Sequence, residues 1–226
     1  MLPLFDINTR VWIERPWVTW ATMLLCVMLW LPYLYLPEAS VIAFITSFGL
    51  VPTELAPYTF ISSLYLHGGL AHLLGNMLYL WVFGDNVEDA MGHRRFLVFY
   101  LVCGVFASLG HVVVNSASEV PLVGASGAIS GVLGAYLVLY PRARLLVPVL
   151  FFPLWFPAWL VIGFWFLLQG FSAFGGGGSG IAWWAHIFGF VGGLVLVWPM
   201  RRRATPLFGG GRLPQGVRLR RDGDGE

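Results

Sequence analysis

The stretch GASGAISGVLGAYLVLYPRAR, residues 124–144, decides how this chain folds. It opens with Ser126 among glycine and alanine, stays apolar through Tyr140, and closes on Arg142 and Arg144. An apolar run that ends in charge reads as a helix crossing a hydrocarbon layer, for which about 20 residues suffice. The serine then stands at one face of the layer and the arginines at the other.

Working outward, five more apolar runs occupy 17–36, 66–83, 96–114, 145–171 and 182–200. Hydrophobic residues make up 58% of the 226 and charged residues 11%, with a mean hydropathy of +0.77. A soluble globule carries about 25% charged residues, so the composition excludes one. The expected fold is an all-α polytopic membrane protein with six transmembrane helices. The first run is too long for a signal-peptide core and is followed by Pro37-Glu38, so it is expected to stay as a helix.

Arginine placement tests the count independently. The 13 basic residues are all arginine. They stand at Arg10 and Arg15, Arg94 and Arg95, Arg142 and Arg144, and after the sixth run. If six spans alternate, these loops share one side, and the positive-inside rule makes that side and both termini cytoplasmic. The remaining loops carry only acids, Glu38, Glu54 and Glu119. The expected organisation is a short cytoplasmic segment at 1–16, a six-helix domain at 17–200, and an Arg/Gly-rich cytoplasmic tail at 201–226. Disorder is the favoured reading of that tail over nucleic-acid or headgroup binding. Cys26 and Cys103 fall inside runs and read as small apolar residues, so no disulfide, metal or cofactor is expected.

Three polar elements reach a common depth. Ser126 opens the fourth helix at its outer end. His186 lies on the order of 6 Å into the sixth helix, and His72 on the order of 9 Å into the second, at the helical rise per residue. Gly127, Gly131 and Gly134 follow the serine, while Gly189 and Gly193 follow His186 on its own helix face. Small residues let helix backbones approach closely in lipid, which would bring Ser126 within hydrogen-bond reach of His186. A hydroxyl beside an imidazole is the arrangement of an activated nucleophile. His72 and Asn76, four residues apart on one face, can donate to an oxyanion.

Each feature alone has a plainer reading. A serine between glycines in a membrane helix is a packing residue roughly nine times in ten. A membrane histidine can be a proton relay or ligand, and the His/Asn pair a loop cap. The coincidence of depth and side favours chemistry.

The residues that carry these features closely resemble the rhomboid family of intramembrane serine proteases. The matching stretches are HGGLAHLLGN at 67–76, EDAMGHRRF at 88–96, GASGAISG at 124–131 and AHIFGFVGG at 185–193. The resemblance implies Ser126 as nucleophile and His186 as general base, without a carboxylate. It implies that Gly124 and Gly127 shape the site, and that His72, Asn76 and the Ser126 N–H hold the oxyanion. It also implies single-pass transmembrane proteins as substrates, taken from the lipid bilayer. The absence of lysine, together with the compact six-helix form, points to a bacterial cell membrane as the location. Two positions depart from part of the family. Ser130 replaces an aromatic that stacks on the histidine, so His186 must be oriented by something else. Tyr58-Thr59 replaces a Trp-Arg pair in the first loop.

An inactive family member that binds transmembrane clients is the rival within the fold, but such relatives generally lack the serine and histidine. A small transporter would need ionisable groups deeper in the spans, where the six runs hold none. The aromatic-rich fifth run, with Trp155, Phe156, Trp159 and 164–166, is expected to be a mobile wall attached through the Gly-rich loop at 175–180.

Overall fold

A computed structural model describes residues 3–7, 11–150, 152–175 and 182–209. The elements run β1 (Phe5–Asp6), α1 (Trp17–Trp30), α2 (Glu38–Phe48), α3 (Thr59–Ser62), α4 (Leu70–Met91) and α5 (His93–Val114). They continue with α6 (Ser126–Leu139), β2 (Arg144–Val149), β3 (Phe152–Pro157), α7 (Ala158–Phe174) and α8 (Trp183–Met200). Pro16, Pro37 and Pro157 stand immediately before α1, α2 and α7, where a missing N–H breaks no helical bond.

By length and composition, 17–34, α5 and α8 are long and apolar enough to cross a membrane. The apolar helices α6 and α7 are shorter, with 14 and 17 residues. The 22 residues of α4 run beyond the apolar stretch at 66–83 and carry Asp85, Glu88 and Asp89 in the last turns.

The helix α6 is the centre of the bundle, packed against α4, α5 and α8 and buried along most of its length. Its approach to α8 is close because glycines face backbone. A Cβ at Gly189 would fall on the Gly127 carbonyl oxygen, and one at Gly193 on that of Gly131. By contrast α7 is peripheral: Leu167 is 70% and Phe171 80% exposed.

The acids at the end of α4 are structural. Glu88 is fully buried and accepts from the Val18 and Thr19 N–H groups and the Thr19 hydroxyl at 2.7–3.0 Å. Its other contact is His93. Asp89 accepts from the N–H groups of Val11, Trp12 and Ile13 at 2.6–2.8 Å. Together they satisfy the orphan donors at and before the start of α1, donors that would otherwise cost free energy away from water. Gly92, at φ 82°, turns the chain from α4 directly into α5.

Three features differ from the sequence expectation. The fifth run does not begin a helix at Leu145. Residues Arg144–Val149 and Phe152–Pro157 form an antiparallel hairpin, and β1 adds a third strand through Phe5↔Leu146 and Asp6↔Leu145. The reason is proline: Pro148, Pro153 and Pro157 would each remove a helical hydrogen bond, which lipid cannot replace. In the sheet they are harmless. Pro148 and Pro153 oppose each other at a pair that exchanges no N–H, and on β3 the nitrogens of 153, 155 and 157 face the open edge. The all-α expectation therefore holds for the bundle, with this small sheet added.

The first loop, between the runs at 17–36 and 66–83, also holds a helix, α2, that the six-run pattern does not mark. Lastly, the chain after α8 is packed as far as it is described. The Arg202 N–H donates to Ala90 O at 2.7 Å, and Phe208 N–H to Val138 O at 2.8 Å, with Thr205 2% exposed. The strand β1 and residues 201–209 thus both gather where α4 and α6 end, opposite Ser126. The glycines at 176–180 and the tail from 210 lie outside the described residues.

Candidate active site

Ser126 is the first residue of α6, and the first bond of that turn runs from Ile129 N–H to Ala125 O at 2.9 Å. The hydroxyl of Ser130 turns back onto Ser126 O at 2.6 Å, so it leaves the serine side chain alone. His186 sits in the first turn of α8. The close α6–α8 packing places its Nε2 2.9 Å from Ser126 Oγ.

The other ring nitrogen answers what orients the imidazole. His186 Nδ1 lies 2.7 Å from Gln169 Oε1 on α7. The Gln169 amide is set in turn by its Nε2, which donates to Trp165 O at 3.2 Å. A carbonyl oxygen only accepts, so Nδ1 carries the proton and Nε2 presents a lone pair to the serine hydroxyl. Trp165 and Trp183 flank the ring with centroids 6.0 and 6.3 Å away. Gln169 was missed from sequence because a single amide in an aromatic run resembles an interfacial residue. Its one signal was being the only uncharged amide in the fifth run.

Gly124, at φ 127°, brings the chain into the serine turn. A Cβ there would stand 2.8 Å from His72 Nε2 and 3.6 Å from Ser126 Oγ, so the imidazole of His72 lies over this glycine beside the serine. Gly127 has its backbone against α8, as above. The Asn76 side chain donates one N–H to His72 O at 3.0 Å and is 6% exposed. Ser126, His186, His72, Asn76 and His111 line one cavity of about 990 Å³. His111, on α5, was not singled out by sequence. Its Nδ1 lies 3.4 Å from Asn115 Nδ2. Among the described residues no cluster of His, Cys, Asp or Glu has the form of a metal site.

A family model for the rhomboid domain matches residues 54–203, a span that contains every one of these side chains. This chain belongs to the rhomboid family. It is 31% identical to YdcA of Bacillus subtilis over 181 residues, 75% of this chain and 81% of that protein. It is 24% identical to the rhomboid protease GlpG of Yersinia pseudotuberculosis over 198 residues, 83% of this chain and 64% of GlpG. A shorter match, 42% over 77 residues, relates it to RHOMBOID-like protein 5 of Arabidopsis thaliana, of which it spans 25%. Similarity extends to mitochondrial members such as rhomboid protein 1 of Saccharomyces cerevisiae, 32% identical over 147 residues and spanned to 40%. Family and apolar helices together make this rhomboid an integral membrane protein.

Proposed function

We propose that this rhomboid is an intramembrane serine endopeptidase that cleaves single-pass transmembrane proteins near the outer face of a bacterial cell membrane. The observation that carries the proposal is the hydrogen-bond chain from Gln169 Oε1 through His186 to Ser126 Oγ, at 2.7 and 2.9 Å. The proposed domain is 17–200, with six spans, cytoplasmic termini, and a cytoplasmic tail at 201–226.

In the reaction, Ser126 Oγ attacks the scissile carbonyl carbon while its proton passes to His186 Nε2. The imidazolium then gives that proton to the departing amine nitrogen, leaving an ester on Ser126. Water enters through the same base, and the second tetrahedral intermediate collapses to free acid and serine. His72, the remaining Asn76 N–H and the Ser126 backbone N–H hold the oxyanion, with Gly124 and Gly127 leaving room for it. No cofactor or metal enters any step.

A fluorophosphonate probe tests the proposal directly. Purified protein in detergent should be modified at Ser126, and both Ser126→Ala and His186→Ala should lose labelling and cleavage while remaining folded. Cleavage by purified Ser126→Ala protein would overturn it.

A further inference from the structure

We propose that Gln169 is a positioning residue through which the seating of α7 controls the reactivity of Ser126. This rests on Ser126 and His186 as nucleophile and base.

Two observations carry it. The first is chemical. A neutral imidazole has one donor and one acceptor nitrogen, and the neighbours decide which is which. On the protein side, Gln169 Oε1 at 2.7 Å is the acceptor for Nδ1–H. Without it, the proton is free to sit on Nε2, where it would face Ser126 Oγ as a donor and leave the hydroxyl without a base. An amide oxygen thus does what a carboxylate does in a three-membered catalytic relay, without placing a charge in the membrane, where it would be costly. The Trp165 carbonyl holds the amide the right way round, at 3.2 Å from Nε2.

The second is architectural. Gln169 belongs to α7, whereas Ser126 and His186 belong to the tightly packed α6 and α8. The buried residues of α7 are Ala158, Val161 and Ile162 near its start, and Gln169 alone in the half nearer the site. Gln169 is 5% exposed, while Leu167 before it and Phe171 after it are 70% and 80% exposed. Apart from Gln169, that half is held by ring contacts to α8: Trp165 and Phe166 against Phe190, with centroids 6.2 and 4.3 Å apart, and Phe174 against Trp184 at 5.0 Å. An outward swing of this half, pivoting on its buried start, breaks the Gln169–His186 bond and leaves the Ser126–His186 pair in place without its acceptor. The base is therefore held in its reactive tautomer only while α7 is seated.

The experiment measures the second-order rate of fluorophosphonate labelling at Ser126, together with kcat and KM on a transmembrane substrate. Gln169→Leu keeps the volume and removes the acceptor. Labelling and kcat should fall together by about 10²-fold, the lower end of what a general base contributes, with KM little changed. Gln169→Glu retains an acceptor oxygen and should recover most of the labelling rate. Phe166→Ala should slow labelling in the wild-type background and have no further effect in Gln169→Leu, because both act through one bond. Wild-type labelling by folded Gln169→Leu, equal losses in Leu and Glu variants, or additive effects with Phe166→Ala would each overturn the inference. If instead Ser126→Ala protein still cleaves, the protease proposal itself falls, so the two failures are distinguishable.

Discussion

Substituting Gly189 by alanine should separate Ser126 from His186 without touching either. The added Cβ would fall on the Gly127 carbonyl oxygen, 3.0 Å from the carbonyl carbon and 3.3 Å from Ser130 Cβ. A carbon and a carbonyl oxygen approach only to about 3.3 Å, so α8 must retreat by about 1 Å at this level. His186 is one turn away on the same helix, and the retreat carries its Nε2 from 2.9 Å out past the ordinary hydrogen-bond limit of about 3.2 Å. A misplacement of about 1 Å at reacting groups costs about 10²-fold in rate, or about 2.7 kcal/mol in barrier. The measurement is fluorophosphonate labelling on the monodisperse, folded fraction after size exclusion. Gly163→Ala, on α7, is the control, since nothing lies within 4 Å of a Cβ there. It should label like wild type. Wild-type labelling by folded Gly189→Ala would refute the idea that close α6–α8 packing sets the Ser126–His186 distance.

Three further outcomes follow from the same geometry. His72→Ala and Asn76→Ala should each lower kcat by about 10²–10³-fold with KM nearly constant, because oxyanion contacts form mainly in the transition state; raised KM with unchanged kcat would remove them from that role. Reporters fused after Arg201 should read cytoplasmic and those inserted at 175–180 external, and an external signal after Arg201 would overturn the six-span topology. Phe166→Ala removes a stacked pair with Phe190, with centroids 4.3 Å apart, worth about 0.5–1.5 kcal/mol, so the open population of α7 should rise about 2- to 10-fold. Cleavage of a transmembrane substrate should therefore increase relative to a soluble peptide in the same liposomes. An unchanged ratio would argue against lateral entry beside this residue.

What the sequence made legible and what it hid have physical causes. The approach of α6 to α8 was readable because Gly127, Gly131, Gly189 and Gly193 recur at helical spacing in otherwise bulky runs. The hairpin at 144–157 was not read because an apolar strand and an apolar helix have the same composition, although Pro148, Pro153 and Pro157 held the signal. Glu88 and Asp89 enter the sequence reading only within the stretch EDAMGHRRF that carries the family resemblance, yet both are buried caps for the chain around α1. A carboxylate's role as a cap depends on which backbone donors arrive beside it, and those come from some 70 or more residues away in sequence. Gln169 stayed hidden for a related reason: its meaning depends on α7 lying beside α8, a contact that no local pattern announces.

The same dependence explains how the molecule holds a hydroxyl, an imidazole and an amide in a largely apolar bundle. Each polar group unpaired in lipid would cost free energy. Here the donors and acceptors run in one order, from Ser126 O–H to His186 Nε2, from His186 Nδ1–H to Gln169 Oε1, and from Gln169 Nε2–H to Trp165 O. Reversing any one link would set two donors or two acceptors against each other, so satisfaction alone selects this direction. On the proposed function, that direction is also the one in which the serine proton must leave. The requirement that stabilises polar side chains in the bundle and the requirement of the chemistry therefore select the same tautomer, and the backbone carbonyl of Trp165, on α7, is the fixed point from which both are set.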